Sequence, residues 1–182
     1  LQAQYDNGGW PQRYPQPSSY HQHITYNDDA MIGVMNLFRN IVQGSGDLEF
    51  VSSDIRRQCD RALQRGLQCI LKTQIRVDGR LTAWCAQHDV KTLAPAKARS
   101  YELPSISGSE SVGIIRYLMK IEDPDNDVVA AIEGAISWFE RVQLKGLRQV
   151  KVEAPAAPNG MDIKVIPDPS APPLWARFYD LQ

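Results

Sequence analysis

The sequence predicts an all-α fold made of helical hairpins, an (α/α) toroid, on three observations. Apolar residues recur at helical spacing in four segments, an end-loop motif appears twice, and strand-like alternation is confined to one short stretch near the C-terminus. The first helix is expected from Asn27 or Asp28 to about residue 42, through Met31, Val34, Met35, Phe38 and Ile41. A second covers residues 53–73, with Ile55, Cys59, Ala62, Leu63, Leu67, Ile70 and Leu71 on one stripe. The third runs over 109–120 through Val112, Ile115, Leu118 and Met119, and the fourth over 126–142 through Val128, Val129, Ile132, Ile136 and Phe139. Beyond them, "RQVKVE" and "GMDIKVIPD" are expected to form a short β-pair about a turn in 155–160.

The end-loops set the architecture. "LQAQYDNGGWPQRYP" and "LKTQIRVDGRLTAWCAQHD" share an order, Gln4/Gln74, Gly9/Gly79, Trp10/Trp84 and Gln12/Gln87, and "AISWFERVQLKG" reads as a third, decayed helix end. Hairpins that return with the same loop stack so that their loops gather on one face.

Composition narrows the partners. The 182 residues suffice for one domain with a sizeable core, being 43% hydrophobic and 23% charged. A net charge of −1 gives no general attraction to nucleic acid or anionic membrane, and no apolar run reaches the length of a membrane span. Cys59, Cys69 and Cys85 are too widely spaced for a zinc knuckle, and Cys59 and Cys69 fall on an apolar stripe as buried thiols. Glycine-rich phosphate loops, HExxH and GxSxG are absent from the sequence.

Three stretches carry chemistry. In "HITYNDDAM", Asp28 and Asp29 stand at a helix start, where one carboxylate caps and the other is free to meet a hard cation. In "AQHDVKTLAPAKARSYELPS", His88 reads as a structural histidine, because only His21 and His23 accompany it. Asp89, Lys97, Arg99 and Glu102 form a mixed-sign set: a surface ion-pair network, or a site in which Lys97 and Arg99 hold an anionic substrate beside an Asp89-bound cation. In "PPLWARFYDLQ", Trp175, Phe178 and Tyr179 flank Arg177, as a core edge or as aromatic faces for a sugar ring.

Together "GGWPQRYP", "ITYNDDAMIGVMNL", "LTAWCAQHD", "PAKARSYELPSISGSESVGIIRYLM" and "WARFYDLQ" resemble the pectate lyases of polysaccharide lyase family 10, in that family's order and over nearly the whole chain. The resemblance implies an α/α toroid and calcium-assisted anti-β-elimination at C4–C5 of polygalacturonate. It implies Asp29 and Asp89 as calcium ligands with Asp28 in reserve, and Lys97, Arg99, Trp175 and Tyr179 as substrate-binding residues. Arg177 is the expected base, with Arg99 as the alternative; burial and a nearby calcium ion would both ease its deprotonation. Family modules begin ahead of "GGW" and continue past "WARFYD", so residues 1–182 are expected to be the central part of one, with the toroid incomplete. A secreted or periplasmic monomer acting on pectate is expected; the alternative is a catalytically silent carbohydrate-binding α/α domain.

Overall fold

All four helices foreseen from apolar spacing are present in the computed structural model, which describes residues 1–15 and 18–182. They are α1 (Ala30–Gln43), α2 (Ser53–Thr73), α3 (Gly108–Leu118) and α4 (Asn126–Arg141). The described residues divide into two compact units: Leu1–Trp138 with Arg177–Gln182, and Phe139–Ala176.

In the larger unit, α2 matches its expected bounds at both ends. Ser52 Oγ accepts a 3.4 Å hydrogen bond from Ile55 N and caps the first turn. By contrast α1 starts later than its apolar pattern. Asp28 and Asp29 have φ of +54° and +55°, left-handed conformations that a right-handed helix cannot include. Asp29 stands at the N-cap position without a side-chain capping bond, which corrects the expectation that one of these acids caps the helix. At the other end, Gly44 (φ +66°) donates back to Asn40 and Ile41 carbonyls.

Met31, Met35 and Phe38 of α1 and Cys59, Ala62, Cys69 and Ile70 of α2 are buried. Each large apolar side chain among them contributes about 1.5–3 kcal/mol. Closeness depends on Gly66: a Cβ there would lie 2.9 Å from both Met35 Cε and Trp10 Cζ3. Trp10 meets Phe38 edge to face at 6.0 Å. The three cysteines are free and buried, and burial pushes the Cys69 thiol up to about 12.

Four antiparallel pairs join the loops. They are β1 (Ile24–Thr25) with β4 (Gln87–His88), β2 (Arg76–Val77) with β3 (Arg80–Leu81), β5 (Ile106–Ser107) with β8 (Phe178–Tyr179), and β6 (Leu147–Glu153) with β7 (Met161–Pro167). The last, in the smaller unit, is the expected β-pair; the others are too short to show a period of two. The β2–β3 turn is signalled only by "VDGR": Asp78 and Gly79 have φ of +50° and +76°, a favoured two-residue hairpin turn.

The repeat is present in the hydrogen bonds, with two corrections to its register. Gln4 Nε2 donates to Gly8 O (2.9 Å) and to the α2 carbonyl of Ala62 (2.8 Å). Gln74 Nε2 donates likewise to Thr82 O (2.9 Å) and to the α4 carbonyl of Ala131 (2.8 Å). Tyr5 N bonds Gly9 O, and Ile75 N bonds Ala83 O, so Gly9 is equivalent to Ala83 rather than Gly79. Trp10 O then accepts from Thr25 N, and Trp84 O from Ser107 N. Counting on from each tryptophan, Gln12 is level with Ala86, not Gln87.

The smaller unit holds the third copy. Leu144 and Leu174 exchange both backbone hydrogen bonds at 2.9 Å, and Trp175 follows as Trp84 follows Ala83. Trp175 Nε1 donates to Phe139 O (2.9 Å), four residues before Gln143, as Trp84 Nε1 donates to Ile70 O (2.8 Å), four before Gln74. The β6–β7 hairpin fills this loop, braced by Arg148 Nε and Asp168 Oδ2 at 2.5 Å. No helix among the described residues is long and apolar enough to cross a membrane.

Candidate active site

Each end-loop delivers its residues through a strand pair. The β1–β4 ladder sets Ile24 opposite His88 and Thr25 opposite Gln87, and Ala86 O accepts from Tyr26 N and Asn27 N. One repeat later, β5–β8 sets Ser107 opposite Phe178, and Arg177 O accepts from Gly108 N (2.9 Å). Arg177 thus takes in the third loop the place of Ala86 in the second, with its backbone pinned by the ladder.

The result is a cleft of about 350 Å³ lined by Asp28, Asp29, Glu110, Gly113, Arg116 and Arg177, among others. The left-handed turn brings Asp28 and Asp29 to its wall, both exposed. Asp29 Oδ1 lies over Gly113, where an added Cβ would sit 2.9 Å away. The Asn27 amide, only 3% exposed, links the two sides: Nδ2 donates to Asp28 Oδ2 (3.2 Å), and Oδ1 accepts from Arg177 Nη2 (3.4 Å).

Arg177 faces two buried carboxylates. Its Nη2 lies 3.6 Å from Glu110 Oε1 and 3.9 Å from Glu102 Oε1, in side chains 7% and 2% exposed, while its own is 47% exposed. The Phe178 ring lies 4.9 Å from the guanidinium carbon. Trp175 belongs to the smaller unit, where it packs edge-on against Phe139 at 6.4 Å. Tyr179 is half-buried, its ring edge-on to Trp138 at 5.0 Å. Within the larger unit, Phe178 and Tyr179 therefore form a core edge beside Arg177, and the guanidinium reaches solvent.

Arg99 is committed to its own chain. Its Nε and Nη2 fork the Glu102 carboxylate at 2.8 and 2.6 Å, and its backbone N adds a third bond at 3.1 Å. These bonds, with those from Arg99 foremost, hold the Glu102 carboxyl below its usual range, and Glu102 in turn pushes the Arg99 guanidinium up. Lys97 is exposed on the same loop.

Asp89 is not among the residues lining the cleft. The ladder carries it past His88, about three residue steps or roughly 10 Å along the strand from the Asn27 end. Its Oδ1 accepts from Lys91 N (2.9 Å), Thr92 N (2.8 Å) and Thr92 Oγ1 (3.1 Å), and the Thr92 bond leads in holding its carboxyl low. His88 is fully buried, donating from Nδ1 to Leu93 O (2.9 Å) and accepting from Cys85 N at Nε2 (3.1 Å). Burial lowers it to about 4, so it is neutral and structural, as read from the sequence.

Glu102, Glu110, Asp54 and Asp168 each have an arginine partner, whereas Asp28, Asp29 and Asp89 enter no ion pair among the described residues. Most of the other described acids also lack an ion pair, so what suits Asp28 and Asp29 to a hard cation is their adjacent place on the cleft wall. Among the described residues no three His, Cys, Asp or Glu side chains gather into a ready cage, so the remaining oxygens must come from water or a ligand.

The sequence reading missed Asn27 and Glu110 as site residues. "NDD" suggested a cap, and Ser107 to Glu110 has the spacing of a capping box. Instead Ser107 Oγ donates to Glu110 Oε2, and its side chain makes no capping bond.

The sequence profile of the pectic acid lyase family matches residues 1–182. A family 10 polysaccharide lyase from Cellvibrio cellulosa is similar at 33% identity, with a TM-score of 0.86 over 99% of this chain and 55% of that chain. An Asp-to-Ala mutant of a family 10 lyase from the same organism, solved with trigalacturonic acid, is similar at 33% identity with a TM-score of 0.85 over the same shares. This chain thus spans about half the length of the solved relatives it matches. A comparison with curated protein sequences gave no match. Matched from end to end by the family profile, and similar over nearly all its length to solved relatives, the chain belongs to the pectic acid lyase family.

Proposed function

We propose that residues 1–182 are the central part of a pectate lyase module that cleaves polygalacturonate by anti-β-elimination at C4–C5, releasing unsaturated oligogalacturonates. The observation that carries this is the family match joined to the cleft, where an arginine on a ladder-pinned backbone shares the lining with Asp28 and Asp29. The solved relative with trigalacturonic acid supports a galacturonate oligomer as the ligand. The repeated end-loops support assembly of the hairpins into an α/α toroid, incomplete in this chain. A polymeric substrate favours a secreted or periplasmic monomer.

In this mechanism Arg177 takes the C5 proton of the bound galacturonate. The C5–H electrons form the C4–C5 double bond, the C4–O bond breaks, and water protonates the departing oxygen. A guanidinium is ordinarily charged at neutral pH, so activity should rise into the alkaline range. Asp29 and Asp89, with Asp28 in reserve, would hold calcium through water and the uronate carboxylate, since no three acids gather into a cage among the described residues. When bound, calcium neutralises that carboxylate and stabilises the enolate-like charge at C5. Lys97 holds a neighbouring uronate, with whatever the Arg99 fork leaves free, and the half-buried Tyr179 offers the open part of its ring to the sugar.

The alternative, a silent carbohydrate-binding domain, is favoured by one observation: Arg177 already has two carboxylates, Glu110 and Glu102, within 3.6 and 3.9 Å of Nη2. Ultraviolet absorbance from the unsaturated product separates the two. The lyase reading requires it to grow with time in the full-length parent protein, whereas binding by calorimetry without absorbance would establish the silent domain.

A further inference from the structure

We propose that Glu110, Glu102 and Asn27 are positioning residues that anchor Arg177 through Nη2, leaving Nη1 and Nε as the nitrogens that meet substrate. It deepens, and rests on, the lyase chemistry proposed above. The polar contacts of the guanidinium among the described residues all converge on Nη2: Asn27 Oδ1 at 3.4 Å, Glu110 Oε1 at 3.6 Å and Glu102 Oε1 at 3.9 Å. A nitrogen with two N–H groups cannot donate fully to three acceptors, which accounts for the length of all three contacts.

The three anchors are not alike. Glu102 is already satisfied by the Arg99 fork and its backbone N–H, so Arg177 is its secondary partner. Glu110 has Arg177 as its sole ion-pair partner among the described residues, and its other oxygen is fixed by Ser107 Oγ. Ser107 Oγ also lies 3.4 Å from Arg177 O, so one helix start fixes both the backbone and the side chain of the arginine. Glu110 stands in the first turn of α3. Asn27 joins the guanidinium to Asp28, so the base and the cation-facing wall share one buried amide. A half-exposed arginine free of such anchors would extend into water. Here the buried carboxylates hold it at the cleft.

The test uses the full-length parent enzyme. Glu110→Gln keeps the shape and an acceptor for Ser107 but removes the charge. It should lower kcat roughly 10- to 100-fold with KM within about threefold, the signature of a misplaced reacting group. Unchanged kcat, or a rise in KM alone, would overturn the proposal. Guanidinium ion should restore part of the turnover lost in Arg177→Ala but not in Arg177→Ala/Glu110→Gln; equal rescue would count against it. If Glu110→Gln does not fold, Ser107→Ala must lower kcat at least about threefold, and a smaller effect overturns the anchor. A stability cycle needs no turnover: the fall in unfolding midpoint caused by Ser107→Ala should at least halve in an Arg177→Ala background, and equal falls would show that the anchor does not engage the arginine. A wild-type enzyme that forms no unsaturated product would sink the lyase reading, while the cycle still decides the anchor.

Discussion

The Asn27–Asp29 turn and the Asp89–Leu93 turn carry the same kind of side chain to opposite uses of it. At Asp89 the backbone folds around the carboxylate: two amides and a hydroxyl of Lys91 and Thr92 converge on Oδ1, and the acid shapes its own loop. At Asp28 and Asp29 the backbone takes the unfavourable side of the bargain. Two successive left-handed residues turn the acids out to the cleft wall, without capping bonds and without cationic partners. A carboxylate becomes available for chemistry when its neighbours leave acceptor positions open, as Asp28 keeps beyond its one bond from Asn27, and strain in the backbone is one way to do so.

Breaking the arginine should have the largest effect. Arg177→Lys keeps the charge but neither the fork nor the reach, and turnover in the full-length enzyme should fall by several powers of ten. Arg99→Lys should mainly raise KM and lower the unfolding midpoint, because the lost fork is the one that holds Glu102. Collapse of kcat in Arg99→Lys with near-normal Arg177→Lys would exchange their roles.

The acids can be separated by asparagine. Asp89→Asn retains the Oδ1 acceptor and hence the turn, so any loss must come from the missing charge. With calcium shared as proposed, Asp29→Asn should cost about 100-fold and Asp89→Asn about 10-fold in turnover, both relieved in part by excess calcium. A chelator should abolish elimination in the wild type while leaving the circular-dichroism melt unchanged, since the apolar core does not need metal. Full turnover for Asp89→Asn would reduce that residue to a turn former.

The next effect is on stability and concerns the histidine between the two turns. His88 sits at about 4 when folded against 6.5 unfolded, so the unfolded chain binds more protons between those values. Stability is therefore complete above about pH 6.5 and lost as pH falls to about 4, by about 3 kcal/mol in all. Urea titrations across that range should show the loss, and His88→Gln should flatten it. The smallest effect is expected at Gly113, where alanine intrudes on Asp29 Oδ1. The carboxylate can swing aside, so turnover should drop only a few-fold, with little change in melting.

Helices were legible because their apolar stripes are long. For α2, the Ser52 cap and the stripe through Ile70 mark both ends. The start of α1 was not legible, since no pattern of residue types announces two left-handed aspartates. The repeat could be seen, but its register could not: "GGW" and "VDG" invited a match of Gly9 to Gly79, while the hydrogen bonds match Gly9 to Ala83. Arg177 and the acids stood out by chemistry. Glu110 did not, because a Ser–x–x–Glu run at a helix start is ordinarily a cap, and only the third dimension places an arginine beside it.

Each end-loop is pinched by a neck of backbone hydrogen bonds, between Tyr5 and Gly9, Ile75 and Ala83, and Leu144 and Leu174. Outside the neck lie residues 6–8, 76–82 and 145–173 respectively, from a tight turn to a full β-hairpin. The neck works as a socket: what is plugged into it can lengthen at a cost that grows only logarithmically, while the helix ends behind it keep their hydrogen bonds. For protein engineering, this makes the 145–173 segment an exchangeable cartridge. Replacing β6 and β7 with a two-residue turn closed on Leu144 and Leu174 should leave the Trp175–Phe139 bond in place, and the same socket would accept a foreign binding loop.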